Sequence, residues 1–533
     1  MGLPPLAHET LTRAPRLAAE AGRTWARTGA LLPVLGAAGA GVLLLAYERL
    51  SATAPITADS ANAVLQGRSM ATGNVVLSGW TLSGASFYLT DLPFYTAFAA
   101  IRGLSPDVAH DVGAAIYTLL VLVACFLARG RARGLPALGR MAVTLVLVVA
   151  PAPGEATRLL LLGPFHAGTT LVLLVALLVL DTAGERALGL AVVGALLAVS
   201  VFSDALALYV GVLPIVIVAL LPRLRGRGQR LDRALLATAL ISVVASVLLM
   251  GVIDGLGGFA TVPLQASFAR VEDLPRNTAL ALEGILLLFG ANFFGQPIAS
   301  LGTLVMLVHL AGVAFVALCC RWVVQAWRQG SPPDRVTQVL LVGMAADLAA
   351  YLLSNQAIDL RTSRYLIPFL AFGAVLAGRV GADRLRGTRL RGAAVGVGLA
   401  YLLFAAVSLR TPVAPSPEAE LGGFLQSHHL QYGVAAYWQA STVTVQSEGR
   451  VRVRAFVATQ PQPTAYAWES EGSWYDPKVP GNDARFVVRD TLDPRSVDQR
   501  AIEASFGAPA EEYRVGRYEV FVWDRNLLDD LVR

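Results

Sequence analysis

The sequence predicts a polytopic α-helical membrane protein with a small α/β domain after its last span. Of the 533 residues, 55% are hydrophobic and only 15% are charged, and the mean hydropathy is +0.58. A soluble globular chain does not have this composition. Beyond Arg410 the composition changes abruptly, because a proline-rich segment is followed by residues 418–533 with an ordinary mixture of polar and apolar side chains. Most of the chain is therefore predicted to lie in a bilayer, and its C-terminal part outside it.

About eleven stretches are apolar enough to cross a membrane, since one span needs roughly 20 apolar residues. They are residues 30–48, 108–128, 138–152, 167–181, 186–203, 205–221, 234–253, 299–320, 336–354, 364–380 and 392–410. The third and fourth stretches are short for complete spans, so we expect those helices to be tilted, broken or packed inside the bundle.

The distribution of arginine predicts the orientation, because loops on the cytoplasmic side collect Lys and Arg. Arginines cluster before the first span and in segments 129–140, 223–233 and 379–391. With eleven spans all of these fall on one side. The segment 1–28 is then cytoplasmic, and the loops at 50–107, 151–166, 254–298 and 355–363 face outward with the C-terminal domain. The clusters are explained by topology, so the net charge of +6 does not indicate a nucleic-acid partner.

The predicted domains are a cytoplasmic segment at 1–28, a membrane domain at 29–410, a linker at 411–417 and an extracytoplasmic α/β domain at 418–533. In the last domain the patterns predict helices at 418–428 and 498–506, strands at 432–437, 451–457 and 484–488, and a hairpin at 512–523 about Gly516. Gly422 and Gly423 do not open a strand-turn-helix phosphate loop, so a nucleotide-binding site has no support.

The first outward loop contains an acidic residue, Asp59, beside an apolar helical face that includes Ala61, Val64 and Leu65. Three roles are open for this carboxylate: a helix cap on an interfacial helix, a catalytic base, or a metal ligand. Two further candidates in the same loop are Asp91 and Tyr88. Tyrosines at this depth are found both as interfacial aromatics and as platforms for sugars.

The other outward loops carry ionisable side chains at span ends, where they are costly unless they are paired, hydrated or functional. Glu155 and His166 lie in one loop, and His166 is interpreted as a helix-start residue, an acid/base group or a metal ligand. Arg361 and Arg364 can hold a lipid phosphate by paired donors, or can simply reach the interface. Motifs of metalloproteases and serine hydrolases are absent from the sequence.

This arrangement resembles the GT-C membrane glycosyltransferases, and within them the protein O-mannosyltransferase and aminoarabinose transferase branch. The resemblance covers residues 30–410 as architecture and rests on the acidic residue in a long first loop and on the span that begins Ser363-Arg-Tyr-Leu-Ile-Pro368. Short motifs such as Asp59-Ser-Ala-Asn62 and Ser203-Asp-Ala-Leu206 are also similar to a group of actinobacterial membrane proteins described as glycosyltransferases.

The resemblance implies transfer of a sugar, with inversion, from a polyprenyl-phosphate carrier to a glycan, lipid or protein acceptor outside the cytoplasm. It implies that Asp59 orients or deprotonates the acceptor or holds a divalent metal. It further implies that Arg361 or Arg364 stabilises the leaving phosphate, with His166 and Glu155 in supporting positions. Many relatives have adjacent acidic residues in the first loop, whereas Asp59 is followed by Ser60. This departure weakens the metal assignment unless Asp91 or Glu155 folds back beside Asp59.

Two other classes of function remain open on the sequence. A lipid-glycan transporter requires a polar passage, yet Glu283 and Asp347 are the main charges within spans. A non-catalytic envelope protein would bind a glycan or a protein partner through its outward domain, and aromatic residues of that domain could stack on sugar rings. These aromatic residues are Tyr437, Trp438, Trp468, Trp474 and Tyr475.

Overall fold

A computed structural model describes residues 36–149, 151–184, 186–224, 226, 228–385, 391–459 and 462–532. The predicted cytoplasmic segment 1–28, the start of the first predicted span and part of the arginine cluster at 379–391 lie outside these residues.

The described chain is mainly helical up to residue 408. The α-helices, numbered α1 to α19 in chain order, are residues 36–51, Ala58–Ala71, Leu92–Arg102, Asp107–Arg129, Leu135–Val148, Glu155–Leu161, Ala167–Ala183, Ala187–Ser203, Leu213–Leu224, Arg230–Gly255, Leu274–Leu288, Leu301–Arg328, Arg335–Leu353, Ile367–Leu376, Ala382–Leu385, Arg391–Ser408, Pro417–Ser427, Tyr437–Gln446 and Gln499–Phe506. Each apolar stretch of the sequence corresponds to one helix or to a run of helical turns.

Six helical segments of the described residues are long and apolar enough to cross a membrane: Asp107–Arg129, Arg230–Gly255, Leu301–Arg328, Arg335–Leu353, Leu360–Leu385 and Arg391–Ser408. Four apolar segments are shorter: Leu135–Val148, Ala167–Ala183, Ala187–Ser203 and Leu208–Leu224. The helix Leu135–Val148 has 14 residues and is about 21 Å long, less than the roughly 30 Å of a bilayer core. The protein is a membrane protein, and the number of eleven crossings stays a prediction.

In the part of the chain that the structure describes, nine β-strands, β1 to β9, form two sheets. Their bounds are Trp80–Leu82, Ala260–Thr261, Tyr432–Ala435, Arg452–Val457, Thr464–Ala465, Ser470–Glu471, Phe486–Asp490, Glu511–Val515 and Tyr518–Val522. The larger sheet has the order β5-β4-β3-β7-β9-β8, with parallel pairs around β3 and an antiparallel hairpin β8–β9. The strands and helices expected after residue 417 are present, but the strand predicted at 432–437 ends at Ala435, and the helix α18 that begins at Tyr437 was not predicted.

The smaller sheet joins three distant parts of the chain. Strand β1 of the first loop pairs in parallel with β2 of the loop at 254–298, and antiparallel with β6 of the C-terminal segment. The loop at 355–363 is attached to the same side, because Ser267 N–H donates to Asn355 Oδ1 at 3.0 Å. The segments that were assigned to one face from the arginine pattern therefore contact one another.

Ion pairs link several of the segments assigned to the other face. The guanidinium of Arg379 contacts Asp181 and Asp334, each at 3.0 Å, and Arg335 pairs with the buried Asp232. These arginines are held by carboxylates of neighbouring helices, which explains how the charges are accommodated at the ends of spans.

Candidate functional site

Asp59 is the second residue of helix α2 and does not cap it. The N-cap is Thr57, whose hydroxyl accepts from Ser60 N–H at 3.1 Å, while Ser60 Oγ accepts from Thr57 N–H at 2.9 Å. The interpretation of Asp59 as the cap is therefore wrong, because a capping box of two hydroxyls already occupies that role. A carboxylate in the first turn still gains from the positive end of the helix.

Helix α2 is not an interfacial helix on the membrane surface. Nine of its 14 residues are buried, on all sides of the helix, and it packs between α3 and α18. Gly67 lies directly against the backbone of Tyr95: a Cβ at this position would be 2.7 Å from the Tyr95 carbonyl carbon. The apolar face was correctly located, but protein rather than lipid covers it.

The C-terminal segment supplies the immediate partner of Asp59. Tyr437, at the start of α18, donates its hydroxyl to Asp59 Oδ1 at 2.6 Å. Within the described part of the chain, no hydrogen bond reaches the other oxygen, Oδ2. Asp59 is half-buried, so one carboxylate oxygen is fixed and the other can accept a proton or a hydrogen bond from a substrate.

A second carboxylate lies near Asp59, and it comes from neither Asp91 nor Glu155. Glu469 Oε1 accepts from Ser83 N–H at 2.8 Å, and Glu469 Oε2 accepts from the side-chain amide of Gln66. Burial raises the pKa of the Glu469 carboxyl, and the negative charge of Asp59 raises it further against the lowering effect of these hydrogen bonds. Glu469 thus fastens the C-terminal segment to the first loop at the edge of the Asp59 site.

The site does not fit a resident divalent metal. No group of three or more His, Cys, Asp or Glu side chains able to hold a metal ion occurs among the described residues. Both oxygens of Glu469 already accept hydrogen bonds from the first loop. Oδ2 of Asp59 is then the one carboxylate oxygen of this pair that is free to bind a metal ion. No step in the mechanism proposed for this protein passes through a metal.

Two tyrosines near Asp59, Tyr437 and Tyr466, keep their own hydroxyl protons. Burial, followed by the charges of Asp59 and Glu469, holds the pKa of Tyr437 well above its usual range. The pKa of Tyr466 is raised for the same reasons, and its ring packs edge-on against Tyr437 at 5.4 Å. Tyr437 therefore remains a hydrogen-bond donor to Asp59 throughout the physiological range of pH.

His166, Asp204 and Asp91 form a buried acidic centre at the start of helix α7. The contact between His166 Nδ1 and Asp204 Oδ2 is 2.6 Å, and both side chains are buried. His166 occupies the N-cap position with φ of 67°, as predicted for a helix-start residue. Asp91 packs over Gly168, where an added Cβ would be 2.3 Å from Asp91 Oδ2.

Asp91 has an unsatisfied oxygen in this centre. Its Oδ2 atom is buried without a hydrogen-bond partner. Burial, with a smaller contribution from the charge of Asp204, raises the pKa of the Asp91 carboxyl to about 7, against the lowering effect of Thr90 and of the Gly168 backbone. Burial thus favours the neutral form of the carboxyl. Tyr95 lies within electrostatic reach of both Asp91 and Asp59, so the acidic centre is a neighbour of the Asp59 site.

Arg364 lies beside the acidic centre with its donors unused. Its guanidinium is 5.3 Å from the centroid of the Phe165 ring and 5.5 Å from that of Tyr365, and the Tyr365 ring lies 4.8 Å from that of His166. Neither an ion pair nor a side-chain hydrogen bond of Arg364 is found within the described ranges. An arginine whose guanidinium packs on aromatic rings and keeps its N–H groups free can bind an anion.

Arg361 and Glu155 contact each other loosely, with 3.6 Å between Arg361 Nε and Glu155 Oε1. Arg361 also lines a cleft of about 300 Å³ between the membrane domain and the C-terminal segment. We call it the arginine cleft; its lining residues are Arg361, Leu492, Asp493, Pro494, Arg495 and Arg517.

Tyr88 lies in an aromatic cluster rather than at the Asp59 site. Its hydroxyl donates to the carbonyl oxygen of Val75 at 2.7 Å, and its ring packs against Phe259 and Phe202 at 4.9 and 6.0 Å. Most of the aromatics of the C-terminal segment are also packed: Tyr475 is buried, and Trp474 lies under the guanidinium of Arg454 at 3.7 Å.

The C-terminal segment contributes residues to the Asp59 site that the sequence did not predict. Tyr437 and Asp59 are separated by 378 positions, and no periodicity or motif connects them. One local feature of the sequence could have pointed to Glu469: it is a charged residue in a short run of aromatic and polar residues that lacks the pattern of a regular strand. It adopts a φ of 50°, which is unusual for a residue other than glycine.

Comparison with protein-family models and with curated proteins gives no match for this chain. Among solved structures, it is similar to crystal structures of the oligosaccharyltransferase of Archaeoglobus fulgidus. One is a complex with Zn and sulfate (TM-score 0.47, 12% identity, 85% of this chain and 68% of that chain). Another is tethered to an acceptor peptide with the NVT sequon (TM-score 0.45, 13% identity, 85% and 69%). A likeness with TM-scores below 0.5 assigns neither fold nor activity to this chain.

Proposed function

We propose that this protein transfers a sugar from a polyprenyl-phosphate donor to an acceptor on the outer side of the membrane, with Asp59 as the acceptor-activating residue. The observation that carries the proposal is the state of the Asp59 carboxylate. One of its oxygens is held at 2.6 Å by the Tyr437 hydroxyl, while no hydrogen bond in the described chain engages the other. The outward orientation comes from the arginine pattern.

The proposed reaction is a single displacement. Asp59 Oδ2 accepts the proton of an acceptor hydroxyl while the hydroxyl oxygen attacks the anomeric carbon of the sugar. The bond between that carbon and the phosphate oxygen breaks, and its electron pair leaves with the phosphate. The configuration at the anomeric carbon is inverted, because attack and departure take place on opposite faces.

Arginines next to the site stabilise the leaving group in this proposal. Arg364 has free N–H groups, and the guanidinium of Arg361 faces the arginine cleft, about half exposed at 47%. A phosphate that gains charge during the reaction is stabilised by donors already aimed at it. Glu155 lies 3.6 Å from Arg361 and leaves it free to turn, and the His166 ring packs on Tyr365, the ring beneath Arg364. The apolar helices provide the surface for the isoprenoid chain.

The test measures transfer from labelled polyprenyl-phosphate sugars in membranes that contain the wild-type protein or Asp59→Asn. A panel of monosaccharide donors is used together with an envelope extract as acceptor. We expect Asp59→Asn to lose transfer by at least about 100-fold, within the range that a general base contributes. The matched control is Asp254→Asn, because Asp254 is an exposed aspartate at the end of α10.

Transfer by Asp59→Asn at the wild-type rate would reject Asp59 as the base. Absence of transfer by the wild-type protein from every donor of the panel would reject the proposed reaction. Product of retained configuration would reject the single displacement.

A further inference from the structure

The arginine cleft brings together positive side chains from two distant parts of the chain. Arg361 is the second residue of the apolar helical segment Leu360–Leu385, whereas Arg495 and Arg517 belong to the C-terminal segment. One carboxylate, Asp493, also lines the cleft. The lining itself has three positive side chains and one negative one, and Glu155 and Asp490, outside the lining, contact Arg361 and Arg517. The suitability of the cleft for an anion therefore depends on which N–H groups of the arginines stay free.

The two arginines of the C-terminal segment are held rigidly, and each keeps a free donor. Arg495 donates to both oxygens of Asp493, at 2.9 and 2.8 Å, and its guanidinium lies 3.8 Å above the Trp438 ring. Arg517 pairs with both oxygens of Asp490. In both pairs the donors are Nε and Nη2, and no described residue accepts from Nη1 of either arginine.

Arg361 differs from these two because it is not held. Among the described residues its one ion-pair contact, to Glu155, is 3.6 Å long, which is beyond hydrogen-bonding distance. Arg361 can therefore turn toward a ligand, whereas Arg495 presents a fixed edge. A phosphate between them would accept charge-assisted hydrogen bonds from both sides of the cleft.

We infer that the arginine cleft binds a phosphate group, and that Arg495 of the C-terminal segment donates to this group together with Arg361. The inference deepens the proposed function and rests on it for the chemistry of the donor. It adds that the C-terminal segment takes part in donor recognition. The same cleft chemistry would also accept the phosphate of a lipid headgroup.

The position of the cleft relative to Asp59 fits this role. Gln439 Nε2 donates to Asp493 Oδ2 at 3.2 Å, and Trp438 supports Arg495. The residue before them, Tyr437, holds Asp59. One turn of α18 thus connects the phosphate subsite to the acceptor-activating carboxylate, as transfer between two neighbouring substrates requires.

The test measures binding of undecaprenyl phosphate to the full-length protein in nanodiscs of phosphatidylcholine. Parallel titrations use uncharged undecaprenol, inorganic phosphate and phosphatidylglycerol. We expect Arg361→Gln and Arg495→Gln each to weaken binding of undecaprenyl phosphate by about 10-fold, the loss of one hydrogen bond to a charged group. The matched control is Arg500→Gln, because Arg500 is an exposed arginine of α19 outside the cleft.

Asp493→Asn distinguishes a cleft that binds an anion from a segment 492–495 that has only a structural role. The amide oxygen of Asn can still accept from Arg495, but the negative charge in the cleft is lost, so we expect binding to tighten by about 3-fold or more. A site for the polyprenyl donor prefers undecaprenyl phosphate over phosphatidylglycerol. Equal binding of the two lipids, with the same dependence on Arg361 and Arg495, assigns the subsite to lipid phosphates in general and supports the inference.

Wild-type affinity in both arginine variants would overturn the inference. Equal binding of undecaprenol and undecaprenyl phosphate, or weaker binding in Asp493→Asn, would do so as well. Asp59→Asn is expected to bind undecaprenyl phosphate normally, because Asp59 does not line the cleft. If Asp59→Asn binds the lipid normally and also transfers the sugar at the wild-type rate, the proposed role of Asp59 is rejected and the inferred phosphate subsite stands.

Discussion

The hydroxyl of Tyr437 donates to Asp59 Oδ1 at 2.6 Å and thereby joins the C-terminal segment to the first loop of the membrane domain. This hydrogen bond orients the carboxylate and leaves Oδ2 available. It also makes the environment of Asp59 dependent on a part of the chain that lies beyond all the membrane helices.

We predict that Tyr437→Phe slows sugar transfer by about 10-fold, since a hydrogen bond to a charged group contributes roughly 1.5–3 kcal/mol. The ring and its packing on Tyr466 are retained, so the midpoint of thermal unfolding should fall by no more than the loss of this one hydrogen bond accounts for. Initial rates and unfolding midpoints are compared with those of Tyr513→Phe, in which an exposed hydroxyl bound to Glu511 is removed. A rate equal to the wild-type rate would show that Asp59 does not need Tyr437.

We predict that Glu469→Ala destabilises the protein by about 1–3 kcal/mol, because Ser83 N–H and the Gln66 amide lose their acceptor. Glu469→Gln should cost less, since its amide oxygen can still accept from Ser83. The measurement is the unfolding midpoint in detergent, with Glu503→Ala on the exposed face of α19 as control. Equal midpoints for the wild type and Glu469→Ala would contradict a fastening role.

We predict that Asp91→Asn changes the pH dependence of stability. The pKa of Asp91 is raised from 3.8 to about 7 in the folded protein, so between these values the folded state holds a proton that the unfolded state has released. The contribution of Asp91 to stability is present at low pH and declines as pH rises toward 7. The expected contribution is on the order of 1–4 kcal/mol.

Asp91→Asn cannot ionise, so its unfolding midpoint should exceed that of the wild type at pH 8 by more than it does at pH 5. The pair is compared in one detergent at both pH values. A difference between the two proteins that stays constant from pH 5 to pH 8 would contradict a raised pKa. The conservative change keeps the volume of the side chain over Gly168, which removes packing as an explanation.

We predict that Gly67→Ala destabilises the protein by about 1–3 kcal/mol, because the new methyl group would contact the Tyr95 backbone at 2.7 Å. Gly423→Ala is the matched control: it is also a helical glycine, but no atom lies within 4 Å of its added Cβ. Alanine should stabilise that helix by about 0.5–1 kcal/mol. Opposite shifts of the two unfolding midpoints are expected, and a stabilised Gly67→Ala would refute the close packing of α2 on α3.

The sequence predicted the parts of this molecule that depend on local composition. Apolar stretches gave the positions of the helices, and alternating residues with a glycine turn gave the β8–β9 hairpin. The same reasoning failed for α18, because Tyr437–Gln446 follows a buried strand without a distinct cap: its N-cap, Ala436, provides no side-chain hydrogen bond. A cap role also stayed open for Asp59, since sequence spacing does not distinguish the residue at the cap from a neighbour two positions later.

By itself, the sequence determined that the chain is a membrane protein with apolar helices and that strands and helices follow residue 417, since hydrophobicity and periodicity are local properties. Only the tertiary structure decided which side chains surround Asp59. Tyr437 and Glu469 reach it from the C-terminal segment, and Arg495 meets Arg361 in one cleft. These pairings depend on how the C-terminal segment packs on the first loop, and contacts between positions more than 100 residues apart leave no periodic trace in one sequence.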